Sequence, residues 1–376
     1  MLSNKKKTVL IYYPFSTKSI AIESQVEILI RLNFEVLLIT WNERGELHER
    51  CEQLGAKCFS TAPKKNLRSA FFFFYQGYRL LSFCQKYNVS VIFVHFQSLA
   101  MVAGLAAHFR KLWTIYFRHN TDYFELRNSR KELFFNRMAN RFSHTIIAIS
   151  NSVRKQLLKE GVRDGKIKRI DLAYNFSRYG KPNRHFVQAI REKYLGSVLL
   201  LMPARLDPLK RHIHTFEVIK SIRNEGIDCK LICIGEGELK RRLQKWIVEK
   251  GMDGNIVLEG FVPNVIDYME ACDIIINLSY SEASNQVVKE AGLFKKPVIV
   301  CRGVGNFDEY LEDHLNAFLV DKESPVEPTI SLLRQFAHDK TKLAEMGKRL
   351  HEVVISRFSM ESVIDRYEEL LQQKVI

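Results

Sequence analysis

The sequence predicts a two-domain α/β protein, each domain built round a parallel sheet. Three observations carry that reading. The chain has 376 residues, and at roughly 100–200 residues per domain that is room for two cores. Hydrophobic residues make up 46% and charged residues 26%, the balance of a folded chain rather than a disordered one. Short apolar runs rich in β-formers alternate with helical patterns along the whole length, as βαβ units do.

Taken in order, strands are expected in the first half over 8–13, 35–40, 90–96, 113–117, 145–150 and 167–172. In the second half they are expected over 197–202, 230–235, 255–259, 273–278, 297–301 and 317–320. The polar stretch 177–183, with its Gly and Pro, reads as the start of a linker. Over 360–373, Val363, Ile364, Tyr367, Leu370 and Leu371 share one face of an amphipathic helix. No fixed-period repeat or low-complexity tract is present. Between 87 and 109 there is no Asp, Glu, Lys or Arg, about the length that crosses a bilayer. Asn88, His95, Gln97, Ser98 and His108 interrupt that stretch, so a strand and a buried helix are expected there instead.

The net charge of +15 is unevenly placed. Residues 1–190 hold 31 basic and 13 acidic residues, net +18, and the remainder holds 26 and 29, net −3. Such asymmetry suits phospholipid headgroups, nucleic acid or a phosphorylated acceptor; the alternative is a basic surface that serves solubility alone. Lys64, Lys65 and Arg68 lead into Phe71-Phe-Phe-Phe-Tyr75 and Tyr78. That segment reads either as a helix lying on anionic lipid or as one packed between the sheet and its neighbours. No helix-turn-helix, zinc-finger or RNP pattern is visible, so nucleic acid is not the expected partner. The seven cysteines are odd in number and form no CxxC pair, and the apolar run after the basic start is too short for a secretory signal. A reducing, cytoplasmic setting is expected.

The residues that carry chemistry lie between 202 and 320. After the strand at 197–202 comes Pro203-Ala-Arg205-Leu-Asp-Pro-Leu-Lys210. Open α/β sheets bind ligands at the carboxyl ends of their strands, where Arg205 and Lys210 suit a diphosphate. Gly235-Glu236-Gly237 and Gly260-Phe261-Val-Pro263 end the next two strands, and glycine there permits close backbone approach. Ser281-Glu282-Ala283-Ser284-Asn285-Gln286 then leads into a helix holding Glu290. Eight residues separate the two carboxylates, about two turns on one helix face, and carboxylates accept the paired hydroxyls of a sugar or ribose. Two glutamates of a solvated helix would look the same in isolation.

With Pro297-Val-Ile and Gly303-Val-Gly305-Asn-Phe-Asp-Glu309, these motifs come in one fixed order that resembles the family 4 glycosyltransferases. The likeness runs over about 195–320, with Phe358-Ser-Met-Glu-Ser and the terminal helix resembling the family's closing segment. It implies the GT-B fold, two Rossmann-like domains facing across a cleft, with domains at 1–182 plus a returning 358–376, and at 183–357. It implies retaining transfer of a sugar from a nucleotide-diphosphate donor, with no metal and no further cofactor. Arg205 and Lys210 would hold the diphosphate, Glu290 the ribose, and Glu282 the transferred sugar. The backbone of Ala283, Ser284, Asn285 and Gln286 would cradle phosphate or sugar oxygens, and Gly235, Glu236 and Phe261 would enclose the base. In the first half His119 matches a histidine beside the reacting sugar, and Ser150 and Asn175 match donor-side positions.

The pattern is broken after the first strand, where Tyr13-Pro-Phe-Ser-Thr17-Lys18 replaces the usual glycine-rich turn, and again at Ala283, Asn306 and Ala317. Thr17 and Lys18, with Lys64, Lys65 and Arg68, are expected on the acceptor or membrane side. The basic half then suggests an anionic glycan or lipid-linked acceptor in bacterial envelope polysaccharide assembly, such as lipopolysaccharide, O-antigen or capsule, met peripherally at the inner face of the plasma membrane. The rival reading is a catalytically silent homologue that binds membrane or glycan. The charged pairs favour transfer over epimerisation, and a phosphorylase would be longer and carry a pyridoxal-binding lysine.

Overall fold

A computed structural model describes residues 6–63, 69–110, 112–195, 198–338 and 340–375. It divides into two compact units. One runs to Arg178 and resumes at Phe358, and the other is Tyr179–Arg357.

In the first unit the described strands are β1 (Thr8–Tyr13), β2 (Glu35–Thr40), β3 (Lys57–Ser60), β4 (Val89–His95), β5 (Trp113–Arg118), β6 (Thr145–Ala148) and β7 (Ile167–Arg169). They form a parallel sheet in the order β3-β2-β1-β4-β5-β6-β7. In the second unit β8 (Val198–Pro203), β9 (Cys229–Ile234), β10 (Ile256–Gly260), β11 (Ile274–Asn277), β12 (Val298–Cys301) and β13 (Phe318–Val320) follow the order β10-β9-β8-β11-β12-β13, again parallel. Both are doubly wound Rossmann-like sheets whose strand order reverses once, between β1 and β4 and between β8 and β11. Loops diverge at such a switch point and leave a crevice at the carboxyl ends. The central strands are fully buried runs, as at Val9, Leu10 and Ile11 or Leu200 and Leu201, because helices cover both faces of a parallel sheet.

The terminal amphipathic stretch forms the helix Met360–Val375 and closes the first unit, not the second. Its Tyr367 is buried beside Phe93 and Phe117, and its hydroxyl accepts from Gln25 Nε2 at 3.1 Å. The 87–109 stretch is β4 followed by the helix Gln97–Arg110, and no described helix is long and apolar enough to cross a membrane. The seven cysteines are buried and unpaired.

Three expectations are corrected. β3 was not foreseen: a four-residue edge strand opening on an exposed Lys gives no alternation to read. The strands at 145–150 and 167–172 stop early, at Ala148 and Arg169; Ser150 instead caps the helix Asn151–Lys159 by accepting from Val153 N–H. The aromatic run lies in the helix Ser69–Lys86 and is only partly packed against the sheet and its neighbours. Phe72 and Phe73 pack on Trp41, and Phe73 on Phe135, whereas Phe71, Phe74 and Tyr78 stay 66–79% exposed. Lys64, Lys65 and Arg68 lie outside the described residues.

Gly347, within the helix Thr341–Phe358, supplies a test of this packing. A Cβ there would stand 1.9 Å from the Lys295 carbonyl oxygen. Gly347→Ala would stabilise an unobstructed helix by about 1 kcal/mol; here it should destabilise by about 1–3 kcal/mol in denaturant unfolding.

Candidate functional site

The second unit gathers its chemistry at the carboxyl ends of its strands. Beyond β8, Asp207 folds the chain into a short 3-10 turn, Pro208–Lys210, by accepting from Leu209 N–H at 2.9 Å. That turn directs the Lys210 ammonium onto Glu282 Oε1 at 2.5 Å, in the loop beyond β11. Asn285 donates to the same oxygen at 2.9 Å, and its own carbonyl caps the helix Gln286–Leu293 by accepting from Val288 N–H. Gly305, beyond β12, packs on the Glu282 stem so closely that a Cβ would lie 2.9 Å from that of Glu282. Three loops are thus joined at one ion pair. Arg205 stands exposed on the β8 loop.

The β9 loop is held against it. Leu206 N–H donates to the Glu236 carbonyl at 3.0 Å, and Gly235 adopts φ +139° with space for no side chain, a Cβ there meeting the Ala204 oxygen at 2.3 Å. Glu236 pairs with Lys240 at 2.7 Å, and Phe261, beyond β10, is 78% exposed. Glu290 is buried and accepts from Gln286 Nε2 at 2.7 Å and from the Tyr179 hydroxyl at 3.2 Å. The spacing argument for the two carboxylates does not hold. The helix starts only at Gln286 because Asn285 caps it, so Glu282 lies off the helix and shares no face with Glu290. Ser284 Oγ accepts from Lys289 Nζ at 2.9 Å and from Asn306 Nδ2 at 3.3 Å.

In the first unit His119 follows β5 and joins a buried polar chain that reaches the terminal helix. His119 Nε2 lies 2.8 Å from His95 Nδ1, His95 Nε2 lies 2.8 Å from Gln25 Oε1, and Gln25 Nε2 donates to Tyr367. An amide oxygen only accepts, so His95 donates through Nε2 and accepts through Nδ1. His119 therefore donates through Nε2 and presents Nδ1 as an acceptor. Burial lowers the His119 pKa to about 4, and burial together with His119 lowers that of His95 well below its usual value. Phe96, at φ +68°, stacks on His119 at 5.1 Å and meets Phe15 at 5.5 Å. A bulky residue in the left-handed region is uncommon and gathers at functional sites.

Ser150 and Asn175 both hold hydrogen-bond partners within the first unit. Ser150 is fully buried and capping, with Ser152 Oγ at 2.8 Å. Asn175 donates to Glu27 and accepts from Ser177, tying the end of the unit to the helix Ile20–Arg31. Thr17 and Lys18 are exposed on the loop between β1 and that helix. The sequence reading missed Gln25, His95, Phe96, Tyr179 and Lys289. Only His95 carried a signal, as a lone imidazole at the end of an apolar run.

Two family models match in tandem, "Glycosyltransferase Family 4" over 22–178 and "Glycosyl transferases group 1" over 183–352. The chain belongs to the family 4 glycosyltransferases, and its two Rossmann-like units are those of the GT-B fold. A poly(ribitol-phosphate) alpha-N-acetylglucosaminyltransferase of Staphylococcus aureus is 24% identical over 196 residues, 52% of this chain and 38% of the relative. The lipopolysaccharide core biosynthesis glycosyltransferase LpsE of Rhizobium meliloti is 26% identical over 141 residues, 38% of this chain and 41% of the relative. These matches therefore span well under half the length of either relative. Among solved structures, Anabaena HepE in complex with UDP-glucose superposes with TM-score 0.80 at 19% identity, covering 97% of this chain and 99% of that one. That likeness is one of fold.

The depressed His119 pKa has a definite sign. The native state holds fewer protons than the unfolded chain below the ordinary histidine pKa of about 6.5, so stability is full above that pH and declines toward pH 4. Between about pH 7 and pH 5 His119 should account for about 2 kcal/mol of lost stability. Urea unfolding of His119→Gln should show that much less loss, and an unchanged pH dependence would contradict the buried neutral imidazole.

Proposed function

We propose that the chain transfers a sugar from a nucleotide-diphosphate sugar to a glycan or lipid-linked acceptor in bacterial envelope polysaccharide synthesis, with retention at the anomeric carbon. The observation that carries the reading is the convergence of Arg205, Lys210, Glu282 and the capped helix start at Asn285 on the switch point of the second unit. A diphosphate placed there competes with Glu282 for the Lys210 ammonium and meets the Arg205 fork, two cations that act most strongly where water is thin. Glu290, held by Gln286 and Tyr179, is set to accept ribose hydroxyls. Phe261 and the glycine turn at Gly235 offer a flat wall and an open backbone to a base.

The step itself needs no protein nucleophile. The bond from the anomeric carbon to the β-phosphate oxygen breaks, and the acceptor oxygen bonds to the same face of that carbon. The acceptor's proton passes to the departing phosphate oxygen. Lys210, Arg205 and the helix N-terminus stabilise the charge that develops on the leaving diphosphate, the work a divalent ion would otherwise do. His119, neutral at physiological pH, offers Nδ1 to a sugar or acceptor hydroxyl. The exposed Phe71, Phe74 and Tyr78 and the positive balance of the first half suit peripheral contact with an anionic membrane.

A thermal-shift panel of UDP, GDP, ADP and their sugar conjugates tests the donor site. One nucleotide series at about 100 times its Kd should add about 2.7 kcal/mol of stability, and Glu290→Ala should abolish the shift. No shift with any series would leave the silent homologue as the better account. Lys210→Ala should cut turnover by about 100- to 1000-fold with the fold intact; full turnover would overturn the assignment. Excess EDTA should leave turnover unchanged.

A further inference from the structure

The strongest unassigned feature is a cavity on the first unit, at the opposite end of its sheet from His119. It measures about 710 Å³ and lies at the amino ends of β5, β6 and β7, beside the helix ends at His108 and Arg141. Strands of this length put it about 15–20 Å from His119 and the carboxyl ends. His108, Arg141, His144, Arg163, Lys166 and Lys168 line it, and among the described residues no Asp or Glu does. Trp113 forms part of the wall and stacks on the His144 ring at 4.7 Å.

Ordinary structural roles account for part of this charge. Lys166 Nζ donates to the Asn140 and Arg141 carbonyls, closing the end of the helix Arg130–Phe142. Lysine on an edge strand such as β7 also discourages strand addition. Those roles leave Arg141, Arg163 and Lys168, which are exposed, with no carboxylate partner among the described residues. An adjoining hollow of about 490 Å³ shares Arg141, Arg163 and Lys166 and adds Arg137. Its one carboxylate, Glu160, is already taken by Arg118 at 2.7 and 3.0 Å and by Asn140. Cations crowded without counter-ions repel one another. Burial and then Arg163 lower the Lys166 pKa; burial, Lys166 and His108 lower that of His144. A multivalent anion relieves that repulsion.

We propose that this cavity is a binding site for a phosphate-bearing polyanion, distinct from the site of sugar transfer. Three arginine or lysine side chains match several phosphate charges at once, and guanidinium forks bind phosphate oxygens bidentately. A concave wall suits a discrete ligand, whereas a bilayer is met by protruding apolar side chains. The exposed aromatics of this unit are on other surfaces: none of Phe71, Phe74 and Tyr78 lines the cavity. The site stands whether or not the chain transfers a sugar.

Amide hydrogen exchange of the full chain, with and without sodium tripolyphosphate at about 0.1 M salt, tests it. Tripolyphosphate should slow exchange over 141–146 and 163–169, and Arg163→Gln with Lys168→Gln should weaken that effect about tenfold or more. Both positions are exposed, so the double variant should fold, and its nucleotide shift should be unchanged. Protection confined to the carboxyl-end loops of the second unit would overturn the proposal. So would equal protection by polyglutamate of matched charge. Binding to phosphatidylglycerol vesicles that the double variant loses, without any tripolyphosphate effect, would overturn it in favour of a bilayer contact.

Discussion

The ion pair between Lys210 and Glu282 organises the carboxyl-end loops of the second unit. It joins the turn beyond β8 to the loop beyond β11, and it is largely screened from water, with side chains 15% and 11% exposed. A partly buried charge without its partner is costly, so neither loop can move alone at little expense. Asn285 shares the Glu282 oxygen while capping the following helix, and Gly305 packs on the Glu282 stem. The strand order opens a crevice between β8 and β11, and this pair fixes what lines it. A ligand that takes Lys210 must compensate its charge, and that requirement selects an anion.

The first unit answers a different constraint. Its sheet ends in a run of polar groups, the half-buried His119 and the buried His95, Gln25 and Tyr367, joined by hydrogen bonds in series. The last member comes from the end of the chain, so the orientation of His119 depends on a helix more than two hundred residues later in the sequence. The buried Arg118 performs a parallel task, binding Glu160 through both guanidinium nitrogens and anchoring the end of β5 to the helix Asn151–Lys159. Some of the positive charge of this half is thereby neutralised inside. Another part, at Arg141, Arg163 and Lys168, collects at the opposite end of the sheet, with no carboxylate partner among the described residues.

Much of the fold was legible because buried parallel strands read as apolar runs, and twelve of the thirteen described strands match the sequence reading to within two residues at either end or to a shortened core; β3, short and at the edge, left no such trace. The cluster of loops at the carboxyl ends of the second sheet was legible because glycine turns, paired cations and acids recur in fixed order on adjacent loops. What failed was geometry that one residue decides. Asn285 ends the helix and removes Glu282 from it, which no count of spacing reveals. Ser150 caps the helix that follows it, and Asn175 bonds Glu27, 148 residues away in sequence. His95 and Gln25 matter through partners 24 and 342 residues away in sequence, and periodicity carries no information at that range.

The central claim is that Lys210 meets a diphosphate. Titration calorimetry with the nucleoside diphosphate, monophosphate and nucleoside of the preferred base tests it most directly. The account predicts a diphosphate bound at least about tenfold more tightly than the monophosphate. It also predicts that Lys210→Ala erases that difference while nucleoside binding survives. Equal affinity for diphosphate and monophosphate in the unaltered chain, or a preference that Lys210→Ala leaves intact, would contradict it.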